Sequence, residues 1–197
     1  MKRLFIAAMT IAALSGCAHT ITISTDTKAL AVTPAVEQID KSVGLIVTDE
    51  MRQRDVTTPG GGGDKVTYKP YRDLEFPIYL ALTRTFKNVE RLSTEPDAAS
   101  ARAKGLSYLI KPRIVTTSSS QSALTWPPTD FSVTLVCTIS DLDGKTIGKA
   151  EVSGHGHAEY SEFKHQLGLA ADRASLDAAA KLPAAIRQAI EGQQAPQ

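Results

Sequence analysis

Leu14-Ser15-Gly16-Cys17 closes an apolar run that begins at Leu4, behind Met1-Lys2-Arg3. A basic start, a short hydrophobic stretch and small residues in that order mark a secretory signal peptide. The stretch is too short to cross a bilayer, since a helix needs about 20 residues to span a hydrocarbon core of about 30 Å. A cysteine at its end matches the bacterial lipobox, in which the thiol is diacylated and the preceding peptide bond is cut. Residues 1–16 then read as signal peptide and Cys17 as the lipidated first residue of the mature chain. Two or three acyl chains, at about 0.8 kcal/mol per buried CH₂, would hold such a chain at a membrane without a spanning helix. Ala18 follows, where an Asp would resemble an inner-membrane retention signal, so the expected address is the outer membrane, facing the periplasm.

Other residues carry weaker chemical suggestions. His155 and His157 alternate on an expected strand, which puts both imidazoles on one face about 7 Å apart. With Glu159, next in the same phase, they could ligate a metal. Two surface histidines flanked by Gly154 and Gly156 are the plainer reading, and no metal or other cofactor is expected. Cys137 falls in phase with Phe131, Val133, Leu135 and Ile139, so it should be a core residue rather than a nucleophile. Trp126, the only tryptophan, stands in a Ser/Thr/Pro-rich loop. An indole is rarely left in water, so it either folds back onto the domain or anchors a partner or membrane interface. Gly60 to Gly63 lack the Lys-Ser/Thr that a phosphate loop needs and read as a hairpin tip. Asp49, Arg52, Arg72 and Asp73 could pair around a helix start, as caps or solvated ion pairs rather than as acid and base. Neither Gly-x-Ser-x-Gly nor His-Glu-x-x-His occurs, and an enzyme is not expected.

These residues need a scaffold, and 197 residues with 42% hydrophobic and 22% charged content suffice for a single domain plus a tether. Lys and Arg number 22 against 21 Asp and Glu, too even for the basic face that a nucleic-acid partner requires. Residues 17–41, rich in Thr and Ser, read as lipidated N-terminus and tether, 42–192 as one periplasmic domain, and 193–197 as a disordered tail.

Within the domain, Val43 to Thr48 predicts a strand, with Val66 to Tyr68 as its return partner around the glycines. Asp73 is expected to cap a helix carrying Leu74, Ile78, Leu82, Phe86 and Val89 on one stripe, with Pro77 in its first turn. A short helix over Thr94 to Lys104 should close at Gly105. Tyr108 to Val115 predicts a strand whose Pro112 belongs at an edge or bulge. Phe131 to Ser140 alternates with period 2, and Asp143-Gly144 turns it into a strand from Thr146 to Ala158. Lys164 to Ile190 predicts a last helix faced by Leu167, Ala171, Ala174, Ala178, Leu182 and Ala185, kinked or restarted at Pro183. The expected fold is α+β: a two-layer α/β sandwich with a mainly antiparallel sheet of about 4–5 strands and two main helices on one face.

The lipobox, the Thr/Pro-rich tether, a strand ending in Asp49 and Arg52, the glycine-tipped hairpin and Tyr71-Arg72-Asp73-Leu74-Glu75-Phe76 opening a helix together resemble the YajG-type family of uncharacterised bacterial lipoproteins. The resemblance covers most of the mature chain in element order, and departs from it in the loop around Trp126 and in the last helix. It implies an α/β domain of the kind found in small envelope-assembly lipoproteins and brings no activity or catalytic residues with it. The expected role is non-enzymatic: the membrane as one partner through the lipid and an envelope protein as another. A lipid or small-ligand carrier is the alternative, with a metal-dependent enzyme behind it.

Overall fold

A computed structural model describes residues 18–31, 37–121 and 125–192. The expected signal peptide, Cys17 and the tail 193–197 lie outside the described residues. In chain order the elements are β1 Ala18–Thr20, α1 Thr27–Ala31, β2 Ile39–Ile46, α2 Asp49–Gln53, β3 Val56–Pro59, β4 Lys65–Tyr68, α3 Pro70–Thr83, β5 Phe86–Leu92, α4 Ala98–Ala103, β6 Tyr108–Ser119, β7 Asp130–Ser140, β8 Thr146–His157, α5 Tyr160–Phe163 and α6 Leu169–Glu191.

The main sheet has five strands in the order β5-β2-β6-β7-β8. On β7 the alternation works as read: Phe131, Val133, Leu135, Cys137 and Ile139 are all buried. The antiparallel meander β6-β7-β8 is joined to β2, which runs parallel to both β5 and β6. The sheet is therefore mixed rather than mainly antiparallel. The correction traces to β5: Phe86 and Val89 continue the four-residue spacing of Leu82, yet α3 stops at Thr83 and Phe86 to Leu92 returns as an edge strand.

Two further corrections concern the helices. The N-cap position of α3 is Lys69, with Pro70 just inside the start, so Pro77 sits in the helix interior and Asp73 does not cap. Proline there leaves one backbone carbonyl without its usual donor. Pro183 likewise lies inside α6, which runs unbroken from Leu169 to Glu191, while residues 164–168, expected as its first turn, form the link between the separate short helix α5 and α6.

The return partner of Val66 to Tyr68 is β3, not β2; β3 and β4 form the glycine-tipped hairpin, and β1 joins β4 in parallel to complete a second, three-stranded sheet. Hydroxyls tie this sheet to β6, one contact buried and one partly buried. Tyr68 Oη donates to Thr116 Oγ1 at 2.7 Å, and Ser118 Oγ donates to Thr58 Oγ1 at 2.6 Å. Pro112 lies just past the last β2–β6 pair, Leu45 with Ile110, where one side of β6 is no longer paired with β2.

Residues 18–31, expected as tether, are packed into the domain. Ile21 donates its N–H to Thr67 O, Ile23 to Asp73 Oδ2 and Ser24 to Asp172 Oδ1, while Ile21, Ile23 and Leu30 are buried. A Thr/Ser-rich stretch is ordered here because two carboxylates, one on α3 and one on α6, take its backbone donors.

Both long helices bury their apolar stripes in one core on the same sheet face, and α4 covers Ile46, Leu92, Leu106 and Leu109 on the other. The closest approach is α6 on β8. A Cβ on Gly154 would stand 2.1 Å from Ala174 O, and one on Gly156 2.0 Å from Ala170 O. The helix backbone occupies the space a side chain would need. Gly154→Ala should therefore lower the unfolding free energy by about 3 kcal/mol in urea titrations, an overpacking cost, whereas Ser153→Ala on the solvent face should stay within about 0.5 kcal/mol.

Candidate functional site

The register of β8 on β7 sets Ser132 opposite His155 and Asp130 opposite His157. His155 Nδ1 lies 3.0 Å from Ser132 Oγ. His157 has a carboxylate at each ring nitrogen: Nδ1 is 2.8 Å from Asp130 Oδ1 and Nε2 is 3.0 Å from Glu159 Oε1. Both contacts are hydrogen bonds only when both nitrogens carry protons, so the arrangement favours the imidazolium. The His157 pKa accordingly rises above its ordinary 6.5, through Glu159 first and Asp130 second, and Asp130 is lowered in return. Glu159 also closes a reciprocal cap with Glu162 at the start of α5, and Arg173 holds Glu162 down to about 2. His155, His157 and Glu159 thus do not converge on one point, and among the described residues no group of three His, Cys, Asp or Glu side chains could hold a metal ion.

Trp126 is half-buried and stacks on His19, ring centroids 4.1 Å apart at 17°. His19 Nε2 in turn lies 3.2 Å from Asp64 Oδ2. The glycine tip grips the same loop: Gly61 N–H donates to Trp126 O, and a Cβ on Gly60 would stand 2.3 Å from that oxygen. Gly60 is needed for close backbone approach, a role that nothing in the glycine run by itself specifies.

Cys137 is fully buried, and desolvation pushes its thiol up to about 12, which removes it as a nucleophile near neutral pH. The charges near the start of α3 do pair. Arg52 reaches Asp49 at 2.6 Å and grips both oxygens of buried Glu75 at 2.7 and 2.8 Å, while Arg72 pairs with Asp73. Glu75, which organises this pair, has no marking in the sequence beyond its place in the helix.

A groove of about 660 Å³ opens where β2 stops and β6 continues. Its floor is Lys111, Pro112 and Arg113 of β6 with Thr138 and Ser140 of β7, and its walls include Met51, Arg54 and Tyr71. Tyr71 Oη accepts the N–H of Ile114, which occupies part of the open side of β6. Lys111 is paired with Glu95 at 2.7 Å, and the Arg54 guanidinium lies over the Tyr71 ring, 5.6 Å from its centroid. Among the described residues, neither Arg54 nor Arg113 has a carboxylate at ion-pair distance, so the groove offers two cations to an acidic ligand, against one carboxylate of the lining, Glu50, that is not itself in an ion pair. Sequence reasoning missed it, because five separate segments build it.

No protein-family model and no curated protein matches the sequence. Among solved structures, a Xanthomonas campestris protein of the DUF330 family superposes with a TM-score of 0.52 at 13% identity, over 90% of this chain and 96% of that one. The α+β fold is therefore one that this protein shares. A minor lipoprotein from Acinetobacter baumannii (TM-score 0.43, 13% identity, 75% and 91% covered) and dodecameric PelC from Paraburkholderia phytofirmans (0.38, 15%, 76% and 92%) are looser likenesses that carry no weight here.

Because its folded pKa is raised, His157 contributes stability that is complete below its unfolded value near 6.5 and is lost as pH climbs through the higher folded value. An NMR titration should place the His157 midpoint above 6.5 and show it falling in Asp130→Asn. An unchanged midpoint in that variant would contradict the assigned contact.

Proposed function

We propose that this chain is a lipoprotein of the YajG type, held by Cys17 at the outer membrane and facing the periplasm, which acts by binding another envelope component rather than by catalysis. The observation that carries the reading is the signal sequence ending in Leu14-Ser15-Gly16-Cys17. Among the described residues no helix is long and apolar enough to cross a membrane, so acylation is the means of attachment that the sequence offers. Anchoring confines the domain to a thin layer and raises its effective concentration toward neighbours there.

The non-enzymatic part rests on side chains already committed elsewhere. Both nitrogens of His157 face carboxylates, and the Cys137 thiol is sealed in the core. A carrier would store an apolar ligand between helix and sheet, but where α6 crosses β8 backbone meets backbone. The groove with Arg54 and Arg113 is the surface best equipped to hold a partner, and its cations favour an acidic one.

Cell fractionation tests the anchor: Cys17→Ala should move the protein from the outer-membrane fraction to the soluble periplasm, and retention in the membrane pellet would sink the reading. For the groove, a photocrosslinker at Thr146 in living cells should yield one dominant protein adduct that Arg113→Glu weakens at least fivefold. A lipid adduct in its place would support the carrier.

A further inference from the structure

Ala18, the residue after the lipobox cysteine, already belongs to β1 and pairs with Lys65. Covalent geometry keeps the Cα atoms of Cys17 and His19 within about 7 Å of each other. No length of free chain therefore separates the acylation site from the folded domain. The domain cannot hang on a tether; it must meet the membrane with whatever surrounds His19.

That surrounding is well defined. The Trp126 indole stacks on His19, and the Trp126 carbonyl is held by the glycine tip. The same end of the sheet carries the close of β6 at Ser119, the start of β7 at Asp130 and the end of β8 at His157, which are register partners. Just beyond His157, α5 leaves the Tyr160 ring 63% exposed, the most exposed large apolar side chain among the described residues. Tryptophan and tyrosine are the side chains that settle at a membrane–water boundary, an apolar ring with one polar group. The polar edge of His19 is engaged within the domain, its Nε2 3.2 Å from Asp64 Oδ2.

The arginine groove is at the opposite end. Its floor residue Arg113 lies six residues back along β6 from Ser119, about 20 Å at strand rise.

We propose that the end of the domain formed by β1, the glycine tip, Trp126 and Tyr160 rests on the phospholipid surface to which Cys17 is acylated, with the Arg54 and Arg113 groove turned away into the periplasm. This orientation rests on the lipoprotein reading and adds to it which face meets lipid. It gives the two surfaces separate tasks: one reads the bilayer and the other is left open to an acidic partner.

The single tryptophan supplies the test. The full acylated chain is reconstituted into phosphatidylcholine and phosphatidylglycerol vesicles, with and without lipids brominated near the head of the acyl chain. Flotation with the vesicles and the mass of the acylated N-terminal peptide report the anchor independently. Trp126 emission should fall at least twofold in brominated vesicles. In Trp126→Phe combined with Thr146→Trp, which moves the fluorophore to the groove end, emission should be unchanged. A chain that floats but keeps its Trp126 emission, or is quenched equally from both ends, overturns the orientation while leaving the anchor in place. A chain that neither floats nor carries acyl groups overturns both.

Discussion

The distance between α6 and β8 governs the architecture. Gly154 and Gly156 on the strand face Ala170, Ala174 and Ala178 on the helix, and backbone meets backbone with no side chain between. Dispersion contacts at that range are dense, and the helix is held at a depth that a larger side chain on either surface would forbid. That depth brings Asp172, near the N-terminus of α6, up to the backbone of Ser24. Burial raises the Asp172 pKa, and the N–H of Ser24 and the amide of Gln166 work in the other direction. The N-terminal segment is thus seated on a helix whose own seating depends on glycine.

The parts legible in the sequence were those set by local rules. Alternation on β7, the turn at Asp143-Gly144 and the end of α4 at Gly105 follow from side-chain period and from glycine at positive φ. What failed were the places where distant contacts outweigh local pattern. Phe86 keeps helical spacing with Leu82, yet pairing beside β2 makes it a strand residue. Pro183 reads as a break, yet the packed stripe from Ala171 to Ile190 carries the helix through it. Residues 18–31 look like linker because their donors are met by Asp73 and Asp172, which lie far off in sequence. The candidate site is similar: Trp126, His155 and His157 stood out by type, but the stacking partner His19 and the groove cations Arg54 and Arg113 are assembled only by folding.

The short overlap between β2 and β6 also shapes the surface. Pairing covers Tyr108 to Ile110 alone, so the meander extends past the parallel half and leaves a step in the sheet. The groove occupies that step, and α2 with its Arg52–Glu75 clamp forms one side. Pro112 and the Tyr71 hydroxyl keep the exposed side of β6 from serving as a ready template for another strand.

The contact between Ser24 and Asp172 spans 148 positions of sequence. Closing so large a loop is entropically unfavourable until the intervening chain has condensed. A polypeptide emerging from its N-terminus presents Ser24 early and Asp172 late. The meander β6-β7-β8, built from neighbouring hairpins, can form first, and its docking with α6 creates the seat that the N-terminal segment requires. Seating the N-terminal segment is then the closing event of folding, so a chain truncated before α6 would keep residues 21–24 loose however well the rest had collapsed.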